Sequence, residues 1–120
     1  MGPREIAEAF SGHRFSDAYQ HLHDDVRWVL PGHEPMLGKD AVIAACEKTS
    51  GHLAGLARTE FIRFVVVADD RAAAVDAIGR YVPHDDGPIS VVSSADVYEV
   101  DESGRVTTIT SYAVEIDSEG

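Results

Sequence analysis

Two aspartates carry the strongest chemical signal in this 120-residue sequence. Asp96 and Asp76 each interrupt a run rich in Val, Ile, Ala and Tyr. A carboxylate in a core-forming strand is costly unless something uses it. Apolar surroundings are expected to raise the pKa of such a group by desolvation, which suits acid or base work near neutral pH. Two carboxylates on adjacent strands and one face could share a proton or divide the acid and base roles. Asp96 is the first candidate catalytic residue and Asp76 the second. The competing structural readings are an Asp96 hydrogen-bonded to a helix or loop amide and an Asp76 in a salt bridge with Arg63.

Candidate ligand contacts surround these acids. Trp28 and Tyr98 are expected to line a cavity or its core. His33 follows Pro31-Gly32 at a strand end, where pocket-rim residues often sit. Arg63 and Ser111 lie on strands beside the acids. Tyr19 reads as helix core with a wet hydroxyl and is carried as a further contact. His21 and His23 have a spacing that suggests a metal, but on a helix residues i and i+2 diverge, so no metal site is expected. There is no phosphate-cradling glycine loop and no nucleophile elbow, and Ser93-Ser94 has no His-Asp partner in view. Any chemistry is expected to be cofactor-free.

The elements that must position these residues change period along the chain. Pro3 to Phe10 and Arg14 to His23 read as helices, with Phe15, Ala18, Tyr19 and Leu22 at helical spacing. Val26 to Leu30 is a short strand stopped by Pro31-Gly32. Asp40 to His52 or Gly55 is the longest helix. Thr59 to Ala68, Ala72 to Val82, and the two arms of a hairpin between Ile89 and Asp117 are strands, with Gly104 at the hairpin turn. Ser118 to Gly120 is a loose tail to one domain spanning residues 1–117. Helices at one end and a meander at the other predict an α+β fold: a curved, mostly antiparallel sheet around three N-terminal helices, with a pocket inside the cone.

Alternation of side chains predicts which residues face that pocket. Ala74, Asp76, Ile78 and Arg80 are grouped with Val92, Ser94, Asp96 and Tyr98, and with Thr107, Ile109, Ser111 and Ala113. The opposite parity (Val75, Ala77, Gly79 and Tyr81; Val91, Ala95 and Val97; Val106, Thr108, Thr110, Tyr112 and Val114) is too apolar for open water. It predicts that a second copy covers the outer sheet face.

The net charge of −11 argues against nucleic acid or an anionic membrane as partner. Much of that charge lies in predicted turns, as a solubilising surface would have it. No stretch approaches the roughly 20 apolar residues of a membrane span. A lone cysteine, Cys46, in an apolar helical segment reads as a buried hydrophobe and fits a reducing cytoplasm.

Three segments together resemble the SnoaL-like branch of the nuclear transport factor 2-like superfamily. They are the strand and Pro-Gly of Trp28 to Gly32, the helix start GKDA at Gly38 to Ala41, and the hairpin from Asp96 to Val106. The resemblance implies a cone-shaped α+β barrel, commonly a homodimer. Members include polyketide cyclases, ketosteroid isomerases, epoxide hydrolases, dehydratases and non-catalytic proteins, so fold does not fix function. Asp96 falls where ketosteroid isomerases keep a protonated Asp. Their general base would fall near Leu30, which cannot take a proton, and their tyrosine has no match in the first helix. The resemblance to limonene epoxide hydrolases places Asp76 at one acid, but their arginine falls near Ala74 and their second acid near Ser111. The likeness to polyketide cyclases makes Asp96 a candidate acid–base group. The expected ligand is a small, largely apolar cyclic or carbonyl compound. The alternative is a non-catalytic carrier or interaction module.

Overall fold

The computed structural model describes residues 1–119, and the side chains of residues 1–116. Of the tail expected at 118–120, Gly120 lies outside the described residues, as do the other two side chains. The chain forms α1 (Pro3–Ser11), α2 (Phe15–Ala18), a 3-10 turn (Tyr19–His21), β1 (Leu22–Val29), β2 (Met36–Leu37) and α3 (Lys39–Ala54). Then come β3 (Arg58–Ala68), β4 (Ala72–Val82), β5 (Ile89–Val100) and β6 (Val106–Glu119). One sheet holds all six strands in the order β2-β1-β6-β5-β4-β3. It stays open, with β2 and β3 at its edges. The result is an α+β cone rather than a closed barrel.

The expected helix from Arg14 to His23 is cut short. Its periodicity is real, since Phe15, Ala18 and Leu22 are all buried. Leu22, however, pairs with Val106, and β1 runs parallel to β6 from that point. Strand pairing outcompetes helix propensity, which is a weak local preference. β1 is consequently longer than the stretch Val26 to Leu30 suggests. The β5–β6 hairpin turns through Gly104 at φ 84°, a conformation that glycine adopts without steric cost. Asp101 fixes the turn by accepting bonds from the Ser103 and Arg105 amides at 2.9 and 3.1 Å.

One helical face and one sheet face make the core. Ile6, Ala7 and Phe10 of α1, and Val42 and Cys46 of α3, pack against Ala73, Val75, Ala77, Tyr98 and Ile109. Burial pushes the Cys46 thiol up to about 12, with the neighbouring Glu47 charge adding to the effect. Cys46 therefore behaves as a hydrophobe. Among the described residues, no helix is long and apolar enough to cross a membrane.

The strand register corrects the expected sorting of faces. Val75 lies opposite Asp96, and Asp76 opposite Ala95. Residues directly opposite each other share a face. Thus Val75, Ala77, Gly79 and Tyr81 belong with Ser94 and Asp96 on the inside, while Ala74, Asp76, Ile78 and Arg80 face outward. The connection between β4 and β5 sets this result. It puts Tyr81 opposite Ser90, so odd-numbered residues of β4 meet even-numbered residues of β5. The sorting of β5 against β6 holds from Ser94 to Tyr98, where Asp96 lies opposite Ser111, but it fails beyond the bulge after Glu99: Val106, expected outside, lies opposite Val100 and is fully buried.

Candidate functional site

The cone holds a partly open cavity of about 360 Å³ between the sheet, the end of α1 and α3. Aromatic side chains dominate its wall: Phe10, Phe15, Trp28, Phe61 and Tyr81. Leu30, Met36 and Val92 extend the apolar lining. The polar groups are few, namely Ser11, His13, Ser94, Asp96, Ser111 and Thr49. No Lys or Arg lines the cavity among the described residues. A mostly apolar hollow with a few convergent polar groups has the form of a small-molecule site.

Asp96 is half-buried on β5, and its carboxylate is held from below. Ser11, the last residue of α1, donates its hydroxyl to Asp96 Oδ2 at 2.8 Å. The same Ser11 Oγ lies 2.5 Å from the Tyr98 hydroxyl. Ser11 has one hydroxyl proton and gives it to the carboxylate, so Tyr98 is the donor in the second bond. A short chain therefore runs Tyr98 to Ser11 to Asp96. Burial first, and the Asp96 charge second, push the Tyr98 phenol well above its ordinary value. It stays protonated and remains a donor. Bonds to an ionised acceptor are stronger than neutral ones, and chains of them reinforce one another.

His13 stands on the cavity wall in a left-handed backbone conformation, φ 67°. Such a residue costs about 1–3 kcal/mol and persists only where its surroundings hold it. Here the ring lies 5.2 Å from Phe61, 5.8 Å from Phe15 and 6.1 Å from Tyr81, centroid to centroid. Burial lowers the His13 pKa, and the Asp96 charge opposes that shift in part.

The remaining expected site residues divide by where the fold puts them. Trp28 lines the cavity and donates its indole N–H to Ser111 Oγ at 2.9 Å, tying β1 to β6. Tyr98 is fully buried beneath the cavity rather than on its surface. Asp76 and Arg63 are brought together, but on the outer face. Arg63 donates through Nε and Nη2 to Asp76 Oδ2 at 3.0 and 2.9 Å. Half-exposed, that pair contributes at most about 1 kcal/mol, and Asp76 cannot act with Asp96 across the sheet. His33 is exposed in the loop after β1, and its amide closes a turn onto Leu30 O at 2.9 Å. Tyr19 packs beside α3, where its hydroxyl bonds Glu47 and burial pushes its pKa up to about 12. Neither His33 nor Tyr19 lines the cavity.

Ser11, His13 and Tyr81 escape a sequence reading. The Ser11-Gly12-His13 run does leave a trace: polar residues follow directly on an amphipathic helix, where a chain end must turn. Tyr81 is hidden by the inverted parity of β4.

A family model described as a SnoaL-like domain matches residues 4–109. The chain belongs to the SnoaL-like domain family. Solved structures agree with this SnoaL-like fold. An NTF2-like protein of unknown function from Cytophaga hutchinsonii is 27% identical, with 92% of this chain and 94% of that one covered at TM-score 0.76. A candidate polyketide cyclase from Pseudomonas putida is 22% identical, covering 93% and 91% at 0.68. An LEH-like epoxide hydrolase from M. tuberculosis is 19% identical, covering 93% and 82% at 0.66. The last two likenesses concern the fold. No curated protein matches the chain.

Proposed function

We propose that this SnoaL-like protein binds a small, largely apolar cyclic or carbonyl compound and transfers a proton on it without a cofactor. Asp96 is the acid–base group. One observation carries the reading: a carboxylate lines an aromatic cavity that no Lys or Arg lines among the described residues. Ser11 engages Oδ2, and no hydrogen bond engages Oδ1 among the described residues. As a base, Asp96 would take a proton from the carbon next to a carbonyl, and the C–H electrons would move onto the carbonyl oxygen as an enolate. Returning the proton at another carbon gives an isomerase. Attack by the enolate carbon on a second carbonyl gives a cyclase. We further propose a homodimer through the outer sheet face, in a reducing cytoplasm.

The test uses cyclic ketones and lactones in D2O, with exchange at the α-carbon followed by NMR. The protein should accelerate exchange of at least one compound. Asp96→Asn should lower that rate by about 10² to 10⁴ while still binding it. Equal exchange by Asp96→Asn and the unchanged protein would remove Asp96 from the chemistry. A carrier is the second reading, and the Ser11 bond favours it because a purely structural carboxylate is satisfied in that way. Its signature is ligand binding with no exchange above the buffer rate.

A further inference from the structure

The cavity wall holds a hydroxyl that the protein itself leaves unused. The Tyr81 hydroxyl has no hydrogen-bond partner among the described residues, and the aromatic ring nearest it there is that of His13, centroids 6.1 Å apart. No buried side-chain polar atom lacks a partner among the described residues, so this oxygen is open to the cavity, where water or a ligand can serve it.

Its position is set by a glycine. Gly79 and Tyr81 are two residues apart on the inner face of β4, and Gly79 is buried. A Cβ built on Gly79 would lie 2.7 Å from the Tyr81 hydroxyl oxygen and 3.0 Å from two ring carbons. The phenol therefore lies back along its own strand, in the space that any other residue at 79 would fill. Glycine inside a strand weakens it, and one common reason for its presence is close approach by another group. Here that group is the ring. The arrangement keeps the hydroxyl over the sheet floor. Ser94, on the neighbouring strand, and Asp96 share that face.

We propose that Gly79 and Tyr81 form the specificity device of this cavity: the phenol, laid over the glycine, donates a hydrogen bond to an acceptor oxygen of the bound molecule. The site then takes ring compounds bearing a carbonyl or ether oxygen in preference to hydrocarbons of the same shape. This rests on the small-molecule reading given above and deepens it. Burial, reinforced by the Asp96 charge, pushes the Tyr81 phenol up, so it remains a donor through the neutral range. A site built around a hydrogen-bond donor discriminates strongly against ligands that leave the donor unpaired.

The probes are 1-indanone and indane, which differ in one oxygen, titrated into the full chain and into Tyr81→Phe. The variant keeps the ring, and its thermal melt shows whether the fold is intact. The unchanged protein should prefer indanone. Tyr81→Phe should cut indanone affinity about threefold to tenfold and leave indane alone. The infrared carbonyl stretch of bound indanone should lie lower in the unchanged protein than in the variant. Indanone binding with the same indanone-to-indane ratio and the same stretch in both proteins overturns the inference alone. Failure of both probes to enter the cavity overturns the small-molecule reading and this inference with it.

Discussion

Asp96 ends a chain of hydroxyls, and His13 lines the same cavity within reach of its charge. At residue scale the site is thus one carboxylate and one imidazole set among aromatic rings. Burial holds the folded His13 below its ordinary 6.5, so the folded state binds fewer protons than the unfolded state wherever His13 titrates. Stability must then fall as pH drops below about 6.5, and the loss ends once the folded protein takes up the proton too. Asp69 and Asp101, whose carboxyls are held low by turn hydrogen bonds, contribute only below their ordinary 3.8 and leave this window clear. His21 is shifted the same way by burial and acts in the same window. The difference between the unchanged protein and His13→Asn therefore isolates His13. Asn tolerates the left-handed backbone there, so the fold is kept. Urea unfolding between pH 5 and 8 should show a shallower pH dependence in the variant. Parallel curves would mean that His13 titrates alike in both states.

At the scale of elements, β4 decides the architecture of the site. Its bounds, Ala72 to Val82, are legible from the sequence, because charged turns flank a run of small and branched residues. Which of its faces is inside is not legible. A shift of one residue exchanges the two faces, and the register depends on how the chain between Val82 and Ile89 closes. Grouping the two acids, Asp76 and Asp96, by chemistry gave the wrong face for Asp76. The long-range parallel pairing of β1 with β6, and the edge strand β2, are equally silent in local pattern. By contrast, the hairpin arms, α1 and α3 stand out because their apolar periods agree with their final burial. The Gly79–Tyr81 contact makes β4 testable as an element. In Gly79→Ala the backbone suits alanine, which gains up to about 1 kcal/mol over glycine in a strand interior. The displaced ring costs about 0.5–1.5 kcal/mol in strained rotamer. The two nearly offset, so urea stability should change by less than about 1 kcal/mol. The ring moves instead, and the His13 ring-proton resonances, which sense Tyr81, should shift. Unmoved resonances would show that the phenol does not lie where the glycine lets it.

At the scale of the whole molecule, the outer sheet face carries the remaining signal. Val65, Asp76, Ala95 and Tyr112 form one row across four strands, each opposite the next. Val65 and Tyr112 are 42% and 53% exposed, and Val67 and Val114 beside that row are 61% and 60% exposed. Isolated apolar residues on a surface are ordinary, but a contiguous patch on a sheet marks an interaction face. Asp76 sits within this patch with its charge matched by Arg63, so the pair presents little net charge to a partner. That gives the two residues a place in the proposed homodimer rather than in catalysis. The net charge of −11 sharpens the prediction, because two copies repel at long range. Association should therefore strengthen as salt rises toward physiological strength, where exposed charges are screened beyond about 8 Å. Val65→Asp places an unpaired carboxylate in the patch beside Asp76. It should weaken the dimer by about 10² or more in sedimentation velocity, since an uncompensated charge in an interface costs several kcal/mol. The cavity lies on the other side of the sheet, so α-carbon exchange per chain should persist in the variant. An unchanged protein that stays monomeric at high concentration, in low and high salt alike, would assign this apolar face to a different partner.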